Sequence, residues 1–265
     1  MTGTDLELNV LGSRGSMACV DPALRDFGGD SSCYLVRAGE ETIFLDAGSG
    51  MLRAPAHYAR APLVLLSHLH LDHLIGLGMF PGLSVPGQGL HLYVPFCRSE
   101  EEAEETMNRI YAPPFWPICM SQSECGAVAL PMPETIEAGD VRIDCAVGNH
   151  PDGCMHFRIS HRGKSLVYAT DYEHEESSFE RLAAFARDTD LLLYDAQYSE
   201  EEYPRFKGFG HSTPEKGLEL MARSGAKRLL LVHHAPWATD EMLYAREARL
   251  PAGASYAREG QVISL

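Results

Sequence analysis

The sequence predicts a mixed α and β fold (α/β in the broad sense, α+β in detail) in a single domain over residues 1–265, and three observations predict it. Short apolar runs of strand length intermix with amphipathic runs of helix length along the whole chain. No internal repeat or low-complexity linker divides them. Polar residues able to do chemistry recur just past the C-terminal ends of the apolar runs, which points to a site along one sheet edge.

Composition agrees with that class. A chain of 265 residues can bury a sizeable core, and 45% hydrophobic with 22% charged residues is ordinary for a globular protein. Its 22 Lys and Arg against 37 Asp and Glu leave a net charge of -15. That balance makes nucleic acid an unexpected partner, because phosphate backbones are held by clustered cations. A small anion held by metals is still allowed. The start, MTGTDLELNVLGSRG, lacks a basic segment followed by an apolar run, so no signal peptide is expected. No run approaches the roughly 18 apolar residues of a membrane span. Cysteines 19, 33, 97, 119, 125, 145 and 154 are odd in number, dispersed and without a CxxC pair. They read as reduced thiols in a cytoplasmic protein.

The elements follow in order. Leu6 to Leu11 reads as a strand, ending in the turn Gly12-Ser13-Arg14-Gly15-Ser16, which is either plain or lines the site. Gly28 to Ser32 is a second such loop, leading into Cys33 to Val36. Thr42 to Leu45 is a short apolar strand closed by Asp46-Ala47-Gly48; Asp46 is a turn residue by its spacing alone. Leu63 to Ser67 reads as a buried strand. Behind it stand four potential metal ligands in six positions, His68, His70, Asp72 and His73. His68 and His70, two apart in extended chain, face the same way and can grip one ion together. Asp72 and His73, where Gly76 and Gly78 suggest a tight turn into a short helix, can face a second. Imidazole and carboxylate without thiolate suit zinc, manganese or iron.

Leu90 to Val94 is the next strand, and Ser99 to Ile110 an acidic helix with Ser99 as N-cap, its glutamates a solvated face. Tyr111 to Pro117, with three prolines, is neither helix nor central strand. It walls a pocket or interface (a homodimer contact being one use) or covers a core edge. Val141 to Val147 is a strand delivering His150, which by itself would be an ordinary loop histidine. Met155 to Ser160 and Ser165 to Ala169 form a hairpin. Asp171 follows as a bridging carboxylate or a helix cap. Ser177 to Asp188 is a helix, and Leu191 to Tyr194 a buried strand ending at Asp195. His211 lies in Gly-His-Ser-Thr just before a helix over Pro214 to Ser224, started by Thr213 and Pro214. Arg228 to Val232 is a strand ending in His233-His234-Ala235-Pro236, Thr239 to Arg249 a final helix, and Gln261 to Leu265 a last strand.

His68-Leu69-His70-Leu71-Asp72-His73 has the HxHxDH pattern of the metallo-β-lactamase-fold hydrolases, which the chain resembles from Asp46 to His233. The resemblance implies a four-layer αββα sandwich with two divalent metal ions per chain. It implies His68, His70 and His150 for one ion, Asp72, His73 and His233 for the other, and Asp171 between them. His233 is chosen over His234 because His-x-x-Pro spacing matches the family's last motif. Asp46 would lie beneath the ligands and fix their orientation.

Within the family, the Gly-His-Ser-Thr segment resembles that of the tRNA 3′-processing endonucleases (RNase Z) and related phosphodiesterases. There the histidine gives a proton to the leaving group, and an acidic residue at the position of Asp195 orients it. Asp72, His211 and Asp195 are therefore the expected catalytic residues. The reaction implied is hydrolysis of a small, cyclic phosphodiester by a hydroxide bridging two ions, with His211 as general acid. Only 39 positions lie between Asp171 and His211, too few for a tRNA-binding arm beside the helix and strand expected there. The alternatives are a tRNA 3′-processing endonuclease, a glyoxalase-type thioesterase or other ester hydrolase, and a non-catalytic metal-binding regulatory module. A flavodiiron enzyme would carry Glu in place of His70, and a β-lactamase is disfavoured by His73 and by Gly-His-Ser-Thr.

Overall fold

The computed structural model describes residues 6–265, and most of its elements form where hydrophobic periodicity places them. In chain order they are β1 (Glu7–Gly12), β2 (Cys33–Ala38), β3 (Glu41–Leu45), β4 (Leu63–Leu65), β5 (Leu90–Val94) and α1 (Glu100–Asn108). Next come β6 (Ala127–Pro131), β7 (Thr135–Ala138), β8 (Val141–Gly148), β9 (Cys154–His161), β10 (Lys164–Ala169) and α2 (Glu176–Phe185). The chain then runs through β11 (Leu191–Asp195), α3 (Tyr203–Phe206), α4 (Pro214–Ser224), β12 (Leu229–Val232), α5 (Asp240–Glu247), β13 (Ala254–Tyr256) and β14 (Val262–Ser264).

Two mixed seven-stranded sheets result, ordered β14-β1-β2-β3-β4-β5-β6 and β13-β12-β11-β10-β9-β8-β7. Alternation along each strand decides the layers. Leu166 and Tyr168 of β10, Leu191 and Leu193 of β11, and Leu230 and Val232 of β12 face Leu8, Val10, Val36, Ile43 and Leu65 in the core between the sheets. The other parity, Val167, Ala169, Leu192, Tyr194, Leu229 and Leu231, packs against Phe179 and Leu182 of α2, Leu220 of α4 and Leu243 of α5. On the far side, Phe44, Val64, Leu66 and Leu92 pack against Ala103 and Met107 of α1 and against Leu74, Leu77 and Phe80. The architecture is the four-layer αββα sandwich.

Caps agree with the sequence. Ser99, Thr213 and Thr239 accept the backbone N–H of Glu102, Lys216 and Met242 at the starts of α1, α4 and α5. Tyr111 is buried and donates its hydroxyl to the Leu74 carbonyl, with Trp116 edge-on against it, so this side of the Pro-rich loop covers a core edge.

Three expectations need correction. The strand expected over Leu63 to Ser67 pairs only over Leu63–Leu65, because the Asp46 Oδ1 takes the Ser67 N–H at 2.7 Å and ends the ladder. The short helix expected near Gly76 and Gly78 is replaced by 3-10 turns at Leu71–His73 and Leu77–Met79. Here Ala47 N donates to the His73 carbonyl and Gly76 N to the Ala47 carbonyl, stitching the segment to the Asp46 turn instead of coiling it. The strands β6, β7 and β13 were not expected; each is a sheet edge of three to five residues, half-exposed and without a clear apolar period.

Candidate metal centre

The site forms where strand ends meet. Asp46 follows β3, Asp171 follows β10 and His233 follows β12, and each takes a positive φ, 60°, 50° and 63° respectively. Asp and His tolerate that region better than most residues but still at a cost, so three such turns on one edge mark a place where the chain is bent for function. The turns bring the seven expected ligands together. His68, His70 and His150 form one group of donors, Asp72, His73 and His233 a second, and Asp171 joins His68 and His73 in a third.

The atoms that face one another are those a shared cation would use. His70 Nδ1 stands 3.3 Å from His150 Nε2, and His73 Nε2 stands 3.3 Å from His233 Nε2. Asp72 Oδ2 is 3.1 Å from His73 Nε2 and 3.3 Å from His233 Nε2. Asp171 divides its oxygens: Oδ1 lies 3.7 Å from His68 Nε2 and 3.3 Å from His233 Nε2, and Oδ2 lies 3.2 Å from His73 Nε2. Four donors at bond lengths of about 2.0–2.1 Å around a tetrahedral ion are themselves separated by roughly 3.3–3.4 Å. His68 Nε2 is buried with no hydrogen-bond partner, which a native interior avoids unless the atom serves a ligand. The residues present fit two divalent ions.

Electrostatics point the same way. Burial and the neighbouring imidazoles push the His68 and His150 pKa values below the ordinary histidine range. Both are therefore neutral donors at neutral pH. Burial opposes the charged form of His73, but Asp171, Asp72 and Asp46 outweigh it and raise its pKa well above the usual value. For His233, Asp171, Asp195 and Asp72 likewise overcome burial. Burial works against the Asp72 and Asp171 carboxylates too, and the same two histidines hold both below the carboxylate range. A proton on His73 or His233 and a cation compete for the same lone pair, so metal uptake must release protons.

Outer groups orient the ligands. Asp46 is fully buried and accepts four hydrogen bonds: Ser67 N at 2.7 Å, Ser67 Oγ at 2.9 Å, His73 Nδ1 at 2.7 Å and Tyr168 OH at 2.8 Å. Its role is the orienting one, beyond that of a turn residue. In Asp46→Asn, one amide oxygen must serve donors that two carboxylate oxygens served, and the amide N–H groups meet further donors. We expect a loss of about 2–4 kcal/mol in unfolding free energy, and a roughly 10- to 100-fold loss of metal affinity. Urea denaturation and competition with a chromogenic chelator would read the two.

The Gly12 to Ser16 turn lines the site. Ser16 N donates to Asp72 Oδ2 at 2.9 Å, and a Cβ on Gly15 would run into the His233 ring. Arg14 is wholly buried and donates to the carbonyls of Gly28, Ala235 and Ala238, tying this turn to the chain after His233. His234 points away from the ligands: its Nε2 donates to the Ala257 carbonyl at 2.8 Å, and burial with nearby Arg14 pushes its pKa down to about 3.

Beside the ligands, His211 Nδ1 meets Asp195 Oδ2 at 2.9 Å. Asp195 also accepts the backbone N–H of Asp171, Ser212 and Gln197 at 3.0, 3.0 and 3.1 Å. Asp171, Asp195, His211 and His233 also lie close enough to form a donor cluster of their own, but those hydrogen bonds already employ both Asp195 oxygens. The His211 ring lies 4.8 Å from that of His233 and 5.4 Å from that of His150.

Sequence reasoning missed Glu173. Its carboxylate accepts Tyr203 OH at 3.0 Å, Gly208 N at 2.7 Å and Gly210 N at 3.0 Å. The Gly210 carbonyl in turn accepts from His150 Nδ1 at 2.9 Å, and Gly210, at φ 90°, leaves no room for a Cβ beside that ring. Glu173 thus holds the loop that orients His150 and carries His211; its only sequence signal is a place two residues after Asp171. Glu173→Gln should lower kcat about 10-fold while metal content stays unchanged, an effect to be read by steady-state kinetics beside elemental analysis.

Comparison with known proteins agrees with the geometry. The family described as the beta-lactamase superfamily domain matches residues 41–234. "Probable metallo-hydrolase YhfI" of Bacillus subtilis is 23% identical, over 86% of this chain and 86% of its own. A Ribonuclease Z of Gemmatimonas aurantiaca is 25% identical, over 89% and 90%. The crystal structure of a diphosphatase from the PhnP family superposes with a TM-score of 0.72 at 20% identity, covering 98% of each chain.

Proposed function

The chain belongs to the beta-lactamase superfamily and is a metallo-hydrolase of that fold, and on that premise we propose that it is a dinuclear phosphodiesterase acting on a small, cyclic phosphodiester. The observation that carries this reading is His211, fixed through Nδ1 to Asp195 and set against the His150 and His233 rings. His68, His70, His150 and Asp171 would hold one ion, and Asp72, His73, His233 and Asp171 the other. Zinc, manganese and iron all suit these donors. When bound, the ions supply Lewis-acid chemistry, polarising phosphoryl oxygens and lowering the pKa of water.

The protein's own groups do the rest. Asp195 holds His211 in one orientation, so that Nε2 is the atom that passes a proton to the departing oxygen. Asp46 and the Gly210 carbonyl fix the His73 and His150 rings through Nδ1 and so direct their Nε2 atoms toward the shared centre. The chain between Asp171 and His211 is taken up by α2, β11 and α3, which supports a small substrate over a tRNA. The net charge of -15 supports the same choice. Among the described residues no helix is long and apolar enough to cross a membrane. The seven cysteines are unpaired, which supports a cytoplasmic location. Self-association through the exposed Phe115 belongs to the same proposal and is read by light scattering.

The test is elemental analysis of a preparation assayed on bis-p-nitrophenyl phosphate and on 2′,3′- and 3′,5′-cyclic nucleotides. About two metals per chain with diester cleavage is the expected result. Two metals with thioester cleavage alone would favour the glyoxalase-type reading, and two metals with no hydrolysis the regulatory one. Folded protein that takes up neither zinc nor manganese would overturn the assignment.

A further inference from the structure

Four aromatic side chains form a continuous strip that begins at His211. Tyr198, buried, meets the His211 ring edge to face at 5.7 Å and 80°. Phe206 stacks on Tyr198 at 4.6 Å and 10°, and on Trp237 at 5.5 Å and 29°. Phe209 meets Phe206 edge-on at 6.1 Å and 89°. The outer members face water: Phe209 is 62% exposed and Trp237 45%. Large rings left uncovered beside a polar site mark a binding surface more often than a packing defect.

The strip is anchored at both ends. Trp237 Nε1 donates to Glu202 Oε1 at 2.9 Å, and Glu202 Oε2 takes Arg246 at 3.0 Å. At the site end the Tyr198 hydroxyl accepts from Gln197 Nε2 at 2.9 Å, and Gln197 Oε1 accepts from Ser16 Oγ at 3.2 Å. Ser16 N in turn donates to Asp72. Rings held this way offer a planar face at little cost in ordering, which is what a stacking platform needs.

We propose that Tyr198, Phe206, Phe209 and Trp237 form a subsite for a planar ring, so that the substrate is a phosphodiester bearing a heteroaromatic group such as a nucleobase. The proposal rests on the phosphodiesterase reading for its substrate class, while the subsite itself stands on the strip. The occupant is a single base and not a polymer, because the chain as a whole carries a net charge of -15, which disfavours a phosphate backbone but leaves a neutral base free to stack.

Two readouts separate the subsite from the reaction. The chain has two tryptophans, Trp116 and Trp237, so in a Trp116→Phe background emission reports Trp237 alone. AMP is expected to quench that emission saturably, with ribose 5-phosphate leaving it unchanged. In kinetics, the kcat/KM ratio of 2′,3′-cyclic AMP to glycerol 1,2-cyclic phosphate should fall about tenfold or more in Trp237→Leu and in Phe206→Leu, in line with the worth of one stacked base. If AMP fails to quench and the ratio is unmoved while both diesters are cleaved, the subsite is wrong and the phosphodiesterase reading stands. If neither diester is cleaved by metal-loaded protein, the phosphodiesterase reading is lost, and quenching by AMP still decides the subsite.

Discussion

His211→Ala is expected to lose turnover by about 10²–10⁴-fold on cyclic phosphodiesters while keeping its metals, the range that a positioned general acid contributes. The side chain lies beside the ligands but is committed to Asp195 through Nδ1, so its loss removes a proton donor and not a metal donor. The choice of leaving group sharpens the test. With p-nitrophenol leaving, departure needs little protonation, and the defect on bis-p-nitrophenyl phosphate should be smaller than that on a cyclic nucleotide. Equal defects on both, or loss of metal in elemental analysis, would place His211 in a structural role. An unaltered rate on every diester would show that His211 is not the general acid.

The second large effect is expected from Asp171→Asn. Asp171 is buried and puts one oxygen toward His68 and His233 and the other toward His73. The amide keeps the volume but replaces one oxygen with an N–H group aimed at imidazole nitrogens, and it removes the negative charge that two adjacent cations need between them. Metal content should fall from about two per chain to one or fewer, and hydrolysis should become undetectable. Unfolding in the presence of a chelator gives the control. Without metal, the raised pKa of His73 means that its protonated form contributes stability below pH 6.5, which is lost as pH rises through the folded-state value. In Asp171→Asn one of the carboxylates that raise this pKa is gone, so the loss should be smaller and complete at a lower pH than in the parent. An unchanged pH profile, with full metal content, would show that the carboxylate is not shared between the two groups of histidines.

Much of this site is legible in the residues alone because the donors sit at strand ends, where apolar runs stop and polar residues begin. His68, His70, Asp72 and His73 fall in one six-residue stretch, and only chain geometry is needed to see that they can share ions. The distant members His150, Asp171, His211 and His233 were legible through the resemblance of their short motifs, each behind a strand. The alternating apolar pattern likewise located the interior strands and the two long helices of the second sheet's outer layer.

Other features lie between elements and exist only in the folded chain. The edge strands β6, β7 and β13 are made by their neighbours' unpaired backbone, which leaves no period in their own residues. Between His233 and His234 the His-x-x-Pro spacing chose only through the family resemblance; the physical reason, which imidazole the positive-φ turn directs inward, appears only in the fold. Glu173 and Arg14 act on backbone groups that lie tens or hundreds of positions away, so their roles appear only once the loops they hold are in place. Long-range hydrogen bonds to main-chain atoms leave no motif, because every residue offers the same carbonyl and N–H.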